Sequence, residues 1–152
     1  MKTMKNFLLL LAAVFSFASC EKDEDKIYLS SIESGELVAT ESTVVLSQEN
    51  SNDIVLSLAW TKDALQISDP ALSAIDVTIQ TLQVSTTQDF SGVVSENVET
   101  SLSKAYTGAA LNALAKNIGA NPDVANNVYF RLAAQTGKNM IPVYSNVVTV
   151  AV

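Results

Sequence analysis

Between Ile54 and Thr61 the chain reads IVLSLAWT, which places Ile54, Leu56, Leu58 and Trp60 on one face of an extended segment and Ser57 and Thr61 on the other. Strict period two beside a large apolar face is the mark of a half-buried antiparallel strand, and it commits the chain to a sheet that hides one side. Asn127 to Gln135 (NVYFRLAAQ) repeats the pattern, with Val128, Phe130, Leu132 and Ala134 set against Tyr129 and Arg131. Leu37 to Ser47 is a candidate first strand. Ile75 to Thr87 begins in phase with Ile75, Val77 and Ile79, then slips to Leu82 and Val84, which predicts a β-bulge. Asp89-Phe90-Ser91-Gly92 reads as a turn, Val93 to Tyr106 as one or two edge strands, and Val143 to Val152 as the last strand after a hairpin turn at Thr136-Gly137-Lys138-Asn139.

One segment follows a different period. Leu111, Leu114, Ala115 and Ile118 recur at helical spacing, with Thr107 as N-cap before them and Gly119 as the stop after them. Around seven short strands with turns between them, plus one short helix, predict an all-β, two-sheet sandwich of immunoglobulin or fibronectin III type. The helix is about 15 Å long, enough to cross from one sheet to the other.

The first twenty residues belong to export rather than to this fold. Lys2 and Lys5 precede the apolar run Phe7 to Phe17, which is too short to span a bilayer and has the size of a signal-peptide core. Phe17-Ala18-Ser19-Cys20 then supplies small residues ahead of the chain's single cysteine, the lipobox pattern of a lipoprotein. The expected organisation is a signal peptide over 1–19, a lipid-anchored acidic tether over 20–36 and an immunoglobulin-fold domain over 37–152. Lys22, Asp23, Glu24 and Asp25 follow the lipid site directly. They read equally as a solvated tether, which self-repelling charges favour, and as a tag for export to the outer face of the outer membrane.

Composition narrows the chemistry. Sixteen acids against nine basic residues make nucleic acid an unfavourable partner. With Cys20 consumed by lipid, no disulfide is left to staple the domain, so its stability rests on the apolar core. The sequence contains no histidine, no phosphate-binding glycine loop and no nucleophile elbow, so no catalytic residue and no cofactor is predicted. Asp63, Asp69, Asp76 and Asp89 read as solvent-facing loop acids. Asn121, Asp123 and Asn126 lie close together but lack the fixed pattern of a calcium loop, and no metal site is predicted. A sugar ring needs an exposed aromatic face. The aromatic candidates are Trp60, Phe90, Tyr106, Tyr129 and Tyr144; Trp60 shares its face with the core residues of its strand, Tyr129 reads as a sheet-covering or corner tyrosine, and Tyr106 and Tyr144 are the residues expected to contact glycan.

Taken in order, these pieces resemble a known family. The lipobox with its acidic follower is succeeded by Leu58-Ala59-Trp60-Thr61 and by Leu82-Gln83-Val84-Ser85-Thr86 running into Asp89-Phe90-Ser91. Leu111-Asn112-Ala113-Leu114, Val128-Tyr129-Phe130-Arg131-Leu132 and the closing Tyr144-Ser145-Asn146-Val147-Val148-Thr149-Val150 complete the series. The chain is similar in these to the amino-terminal domain of the SusE and SusF family, outer-membrane lipoproteins of starch-utilisation systems. The resemblance implies display on the cell exterior beside a SusC-like, TonB-dependent glycan importer and its SusD-like partner, and it favours the export-tag reading of Lys22 to Asp25. In longer members separate carboxy-terminal domains bind starch and the amino-terminal one is a spacer. This chain ends at its last strand and is expected to lack those modules. The implied role is a non-catalytic accessory or spacer; the alternatives are a stand-alone polysaccharide-binding module and an adhesion or assembly subunit that shares a strand at an exposed edge.

Overall fold

The alternating segment forms β3 (Ile54–Trp60), in which Leu56, Leu58 and Trp60 are buried and Ala59 is exposed. These contacts belong to a computed structural model that describes residues 26–152 apart from Pro70 and Val93. On one side β3 pairs antiparallel with β2 (Leu37–Ala39), on the other with β7 (Ser103–Thr107). The facing sheet is centred on β8 (Asn127–Gln135), which lies between β5 (Ile79–Ser85) and β10 (Val148–Ala151). β6 (Val94–Glu99) extends it beyond β5, and the short β9 (Val143–Tyr144) pairs with the end of β8. Leu56, Leu58, Trp60 and Tyr106 from the first sheet meet Leu82, Val84, Phe130 and Leu132 from the second in one core. Each fully buried leucine there contributes about 1.5–3 kcal/mol. The three-stranded sheet β2-β3-β7 thus faces β6-β5-β8-β10, the arrangement of the fibronectin III variant of the immunoglobulin sandwich.

The helix forms as its spacing requires. α1 (Gly108–Asn117) is capped by Thr107, whose hydroxyl accepts the Ala110 N–H at 3.2 Å. Gly119 adopts φ 84°, and the Ala120 N–H to Ala115 carbonyl and Gly119 N–H to Lys116 carbonyl bonds close a Schellman stop. Leu111, Leu114, Ala115 and Ile118 are buried, and the helix carries the chain from β7 in one sheet to β8 in the other.

Four expectations are corrected. Leu37 to Ser47 is not one strand. After β2 the chain changes sheets at Thr40, whose amide and hydroxyl both bond Ser57, and then runs beside β10. There the Val44 N–H donates to the Ala151 carbonyl and the Ala151 N–H to the Ser42 carbonyl, so the open edge of β10 is covered. The slip within Ile75 to Thr87 marks the start of a strand rather than a bulge. The Asp76 carboxylate accepts both the N–H and the hydroxyl of Thr78, and this turn leaves Ile75 and Val77 exposed ahead of Ile79. Val143 to Val152 breaks at Ser145-Asn146 into β9 and β10.

Finally, the stretch assigned to the tether contains β1 (Leu29–Glu33), which pairs antiparallel with β4 (Ala64–Ile67). The two form a ribbon that prolongs the β2–β3 ladder beyond Trp60. Its strands bury almost nothing, so no alternation announces them. The crossover at the ribbon's base depends on Gly35, where a Cβ would stand 1.9 Å from the Thr61 carbonyl oxygen. Asp63 accepts the Gly35 N–H, and Thr61 accepts the Glu36 N–H.

The sandwich has two distinct poles. The ribbon, the loop between β4 and β5, the β6–β7 turn and the β8–β9 loop all lie at the Trp60 pole, because Trp60 faces Gln80 and Gln80 pairs with Ala134. α1, the 120–126 turn and Val152 lie at the other, where Thr86 bonds the Ile118 carbonyl and Asn126 exchanges backbone bonds with Val152.

Candidate functional site

The outer face of the larger sheet carries the most organised polar cluster. Side chains of β8 that point away from the core include Tyr129 and Arg131, and the register sets Arg131 opposite Gln83 and Gln83 opposite Glu96. The Arg131 Nε–H donates to Gln83 Oε1 at 2.7 Å, and Gln83 Nε2 donates to Glu96 Oε1 at 2.6 Å. The guanidinium lies between two rings, 3.9 Å from the centroid of Phe90 and 3.8 Å from that of Tyr144. Planar, weakly hydrated guanidinium suits such a stack better than ammonium would.

Local chemistry delivers each ring. Phe90 sits at φ 56°, a conformation uncommon for a side chain without a special reason. The turn holding it is tied by the Phe90 N–H to the Thr87 carbonyl and the Gly92 N–H to the Thr87 hydroxyl. Asp89 accepts the hydroxyl and N–H of Ser91, bonds that hold its carboxyl below the usual carboxylate range. Tyr144 is placed by the pairing of β9 with Ala133. Ser145 then replaces the ladder, its N–H donating to the Leu132 carbonyl and its hydroxyl accepting the Leu132 N–H. Asn146 reaches across to the other sheet, where its side-chain amide accepts the Leu37 N–H and donates to the Leu37 carbonyl, both at 2.8 Å.

The two tyrosines expected to contact glycan are not brought together. Tyr106, expected on the surface, is only 7% exposed, because its pairing with Leu56 turns it toward the core, where its ring lies 6.3 Å from Phe130. Burial, with the nearby Glu99 carboxylate, pushes its phenol up to about 12, and it presents no face to a sugar. Tyr144 is 45% exposed, with Arg131 occupying one face of its ring. Trp60 is buried as expected, and its indole N–H donates to Gln80. Cys20, Lys22, Asp23, Glu24 and Asp25 lie outside the described residues. Sequence reasoning missed Arg131 and Gln83, and it weighed Phe90 only as a ring for a sugar. Their signal was the out-of-phase position of Arg131 and Gln83 in strands whose alternate residues are apolar.

Two clefts among the described residues flank the sandwich. One of about 560 Å³ lies between α1, the 120–126 turn and residues 43–46, walled by Val44, Leu46, Ala115 and Val152, and its lining holds no aromatic ring. Asn126 there is spent on Asn121 and Val124, which serves the turn rather than a cation. The other, about 430 Å³, includes Asp63 and Asp76. Asp63 accepts the Gly35 N–H, and Asp76 is held below the usual carboxylate range by Thr78, which does not suit Asp76 to act as a general acid near neutral pH. Among the described residues no group of three or more carboxylate, thiol or imidazole side chains is placed to hold a metal ion.

No curated protein and no solved structure matches the chain. The pattern of the SusE outer membrane protein family matches residues 22–133, from just after Cys20 through most of β8. The β-sandwich, its Trp60-centred core and this match agree, and the chain belongs to the SusE outer membrane protein family, the surface proteins of starch-utilisation systems.

Proposed function

We propose that the chain is a lipoprotein held in the outer membrane by acyl chains on Cys20 and exposed to the cell exterior. There it acts as a non-catalytic accessory and spacer module beside a TonB-dependent glycan importer and its SusD-like partner. The observation that carries this reading is that no two exposed rings are gathered into a platform: Trp60 and Tyr106 are spent on the core, Phe90 and Tyr144 clasp Arg131, and the exposed Tyr28 stands apart from them before β1. A sugar platform requires free ring faces beside convergent polar groups.

Affinity electrophoresis of the full lipoprotein in gels containing plant and host polysaccharides tests the spacer role. Unchanged mobility in every gel is the expected result; retardation by any one of them overturns it in favour of a glycan-binding module. Protease treatment of intact cells tests orientation, and loss of the protein from such cells is expected.

A further inference from the structure

We propose that the Trp60 pole docks onto the bilayer interface, with the ribbon tip and the loop between β4 and β5 as the contact. Exposed apolar side chains are unevenly distributed over this molecule. Ile27 and Tyr28 stand at the ribbon tip, the latter 65% exposed. Ile75 (83% exposed) and Val77 lie in the loop that leads from the ribbon to β5, and Met140 and Ile141 (88% exposed) lie in the neighbouring β8–β9 loop. The Tyr28 backbone is tied to Ser68 by two hydrogen bonds, so the ribbon tip and the start of that loop are one unit. At the opposite pole the exposed large apolar residues are Val45, Ile54 and Val124. Apolar side chains gathered on several loops at one end mark a surface that meets something apolar.

The occupant follows from covalent reach, and here the inference rests on the acylation of Cys20. Ile27 is seven residues beyond Cys20, and seven residues extend at most about 25 Å. A lipid on Cys20 therefore keeps the ribbon tip within that distance of the bilayer, where a high effective concentration makes weak contacts sufficient. Tyr28 is a side chain suited to the headgroup level, and the exposed Lys26, Lys62 and Lys138 at the same pole reach headgroup phosphates with their ammonium groups while their stems stay on apolar surface. Asp69 and Asp76 share the loop, so the contact is apolar rather than polybasic and persists at high salt.

The test exploits the single cysteine: once Cys20 carries lipid, one introduced cysteine gives one label. Lipidated full-length protein carrying Tyr28→Cys, Ile75→Cys, Val45→Cys or Val124→Cys is labelled with an environment-sensitive fluorophore. It is then reconstituted in phosphatidylethanolamine/phosphatidylglycerol vesicles containing a lipid-borne nitroxide quencher, with Trp60 emission confirming the fold of each variant. Blue-shifted emission and strong quenching at positions 28 and 75, in low and high salt, with water-like emission at 45 and 124, is the expected result. Water-like emission at all four positions, with acylated Cys20 seen by mass spectrometry and protein floating with the vesicles, overturns the docking and leaves the anchor standing. Shielding of 28 and 75 only when other outer-membrane proteins are added overturns it in favour of a protein partner. An unacylated Cys20 refutes the anchor and, with it, the docking.

Discussion

Asn146 joins the two sheets through the backbone of one residue, and replacing it should expose how much that joint is worth. Its amide takes both the N–H and the carbonyl of Leu37, a residue that is itself fully buried. Two neutral hydrogen bonds contribute about 1 kcal/mol each, and a buried group left unpaired costs about 1–3 kcal/mol. Asn146 is exposed, so water can enter where the amide was, which keeps the loss in Asn146→Ala near about 2 kcal/mol rather than double that. Asn146→Asp keeps the acceptor for the Leu37 N–H but points a carboxylate oxygen at the Leu37 carbonyl. It should be the less stable variant at neutral pH and should recover on acidification. Protonation restores the donor, so the introduced carboxyl has a raised folded-state pKa, and the recovery appears as pH falls through that value. Urea unfolding followed by Trp60 fluorescence reads both effects. With a denaturant dependence of about 1.5 kcal/mol per molar, the alanine variant should lose about 1.3 M in midpoint at unchanged slope. A loss under about 0.5 kcal/mol for alanine, or an aspartate variant equal to wild type at neutral pH, would refute the reasoning.

Other consequences follow from single contacts. Gly35→Ala drives a methyl into the Thr61 carbonyl and should cost about 3 kcal/mol, the upper range for overpacking, measured by the same unfolding curve. Arg131→Lys keeps the charge but loses the stack on Phe90 and Tyr144 and the bond to Gln83. A fall of about 3–6 °C in thermal midpoint is expected, and an unchanged midpoint would deny the clasp any energetic role. Tyr106 has a raised folded-state pKa, so its contribution is fully present below pH 10 and is lost as pH rises from there through about 12. Tyr106→Phe should remove up to about 2–3 kcal/mol of that alkaline loss, seen as a shallower decline of stability between about pH 10 and 12 than in wild type.

What the sequence determined by itself was whatever is encoded within a few residues. Period two in β3 and β8, helical spacing in α1, the Thr107 cap and the Gly119 stop are all local rules, and the structure obeys them. The burial of Trp60 follows from the same alternation, because three apolar strand-mates leave it one side to face. Pairing across long separations was decided only by the tertiary structure. β1 and β4 have no buried stripe and form because each supplies the other's hydrogen bonds. The change of sheets at Thr40 serves an edge more than a hundred residues away, and the Arg131 clasp draws on three separate strands and turns. Tyr106 is the sharpest case. Nothing in Ser103-Lys104-Ala105-Tyr106-Thr107 says which face is inward, and only its pairing with Leu56 sends the ring into the core. Alternation tells a strand that it has two sides; the neighbouring strand tells it which side is dry.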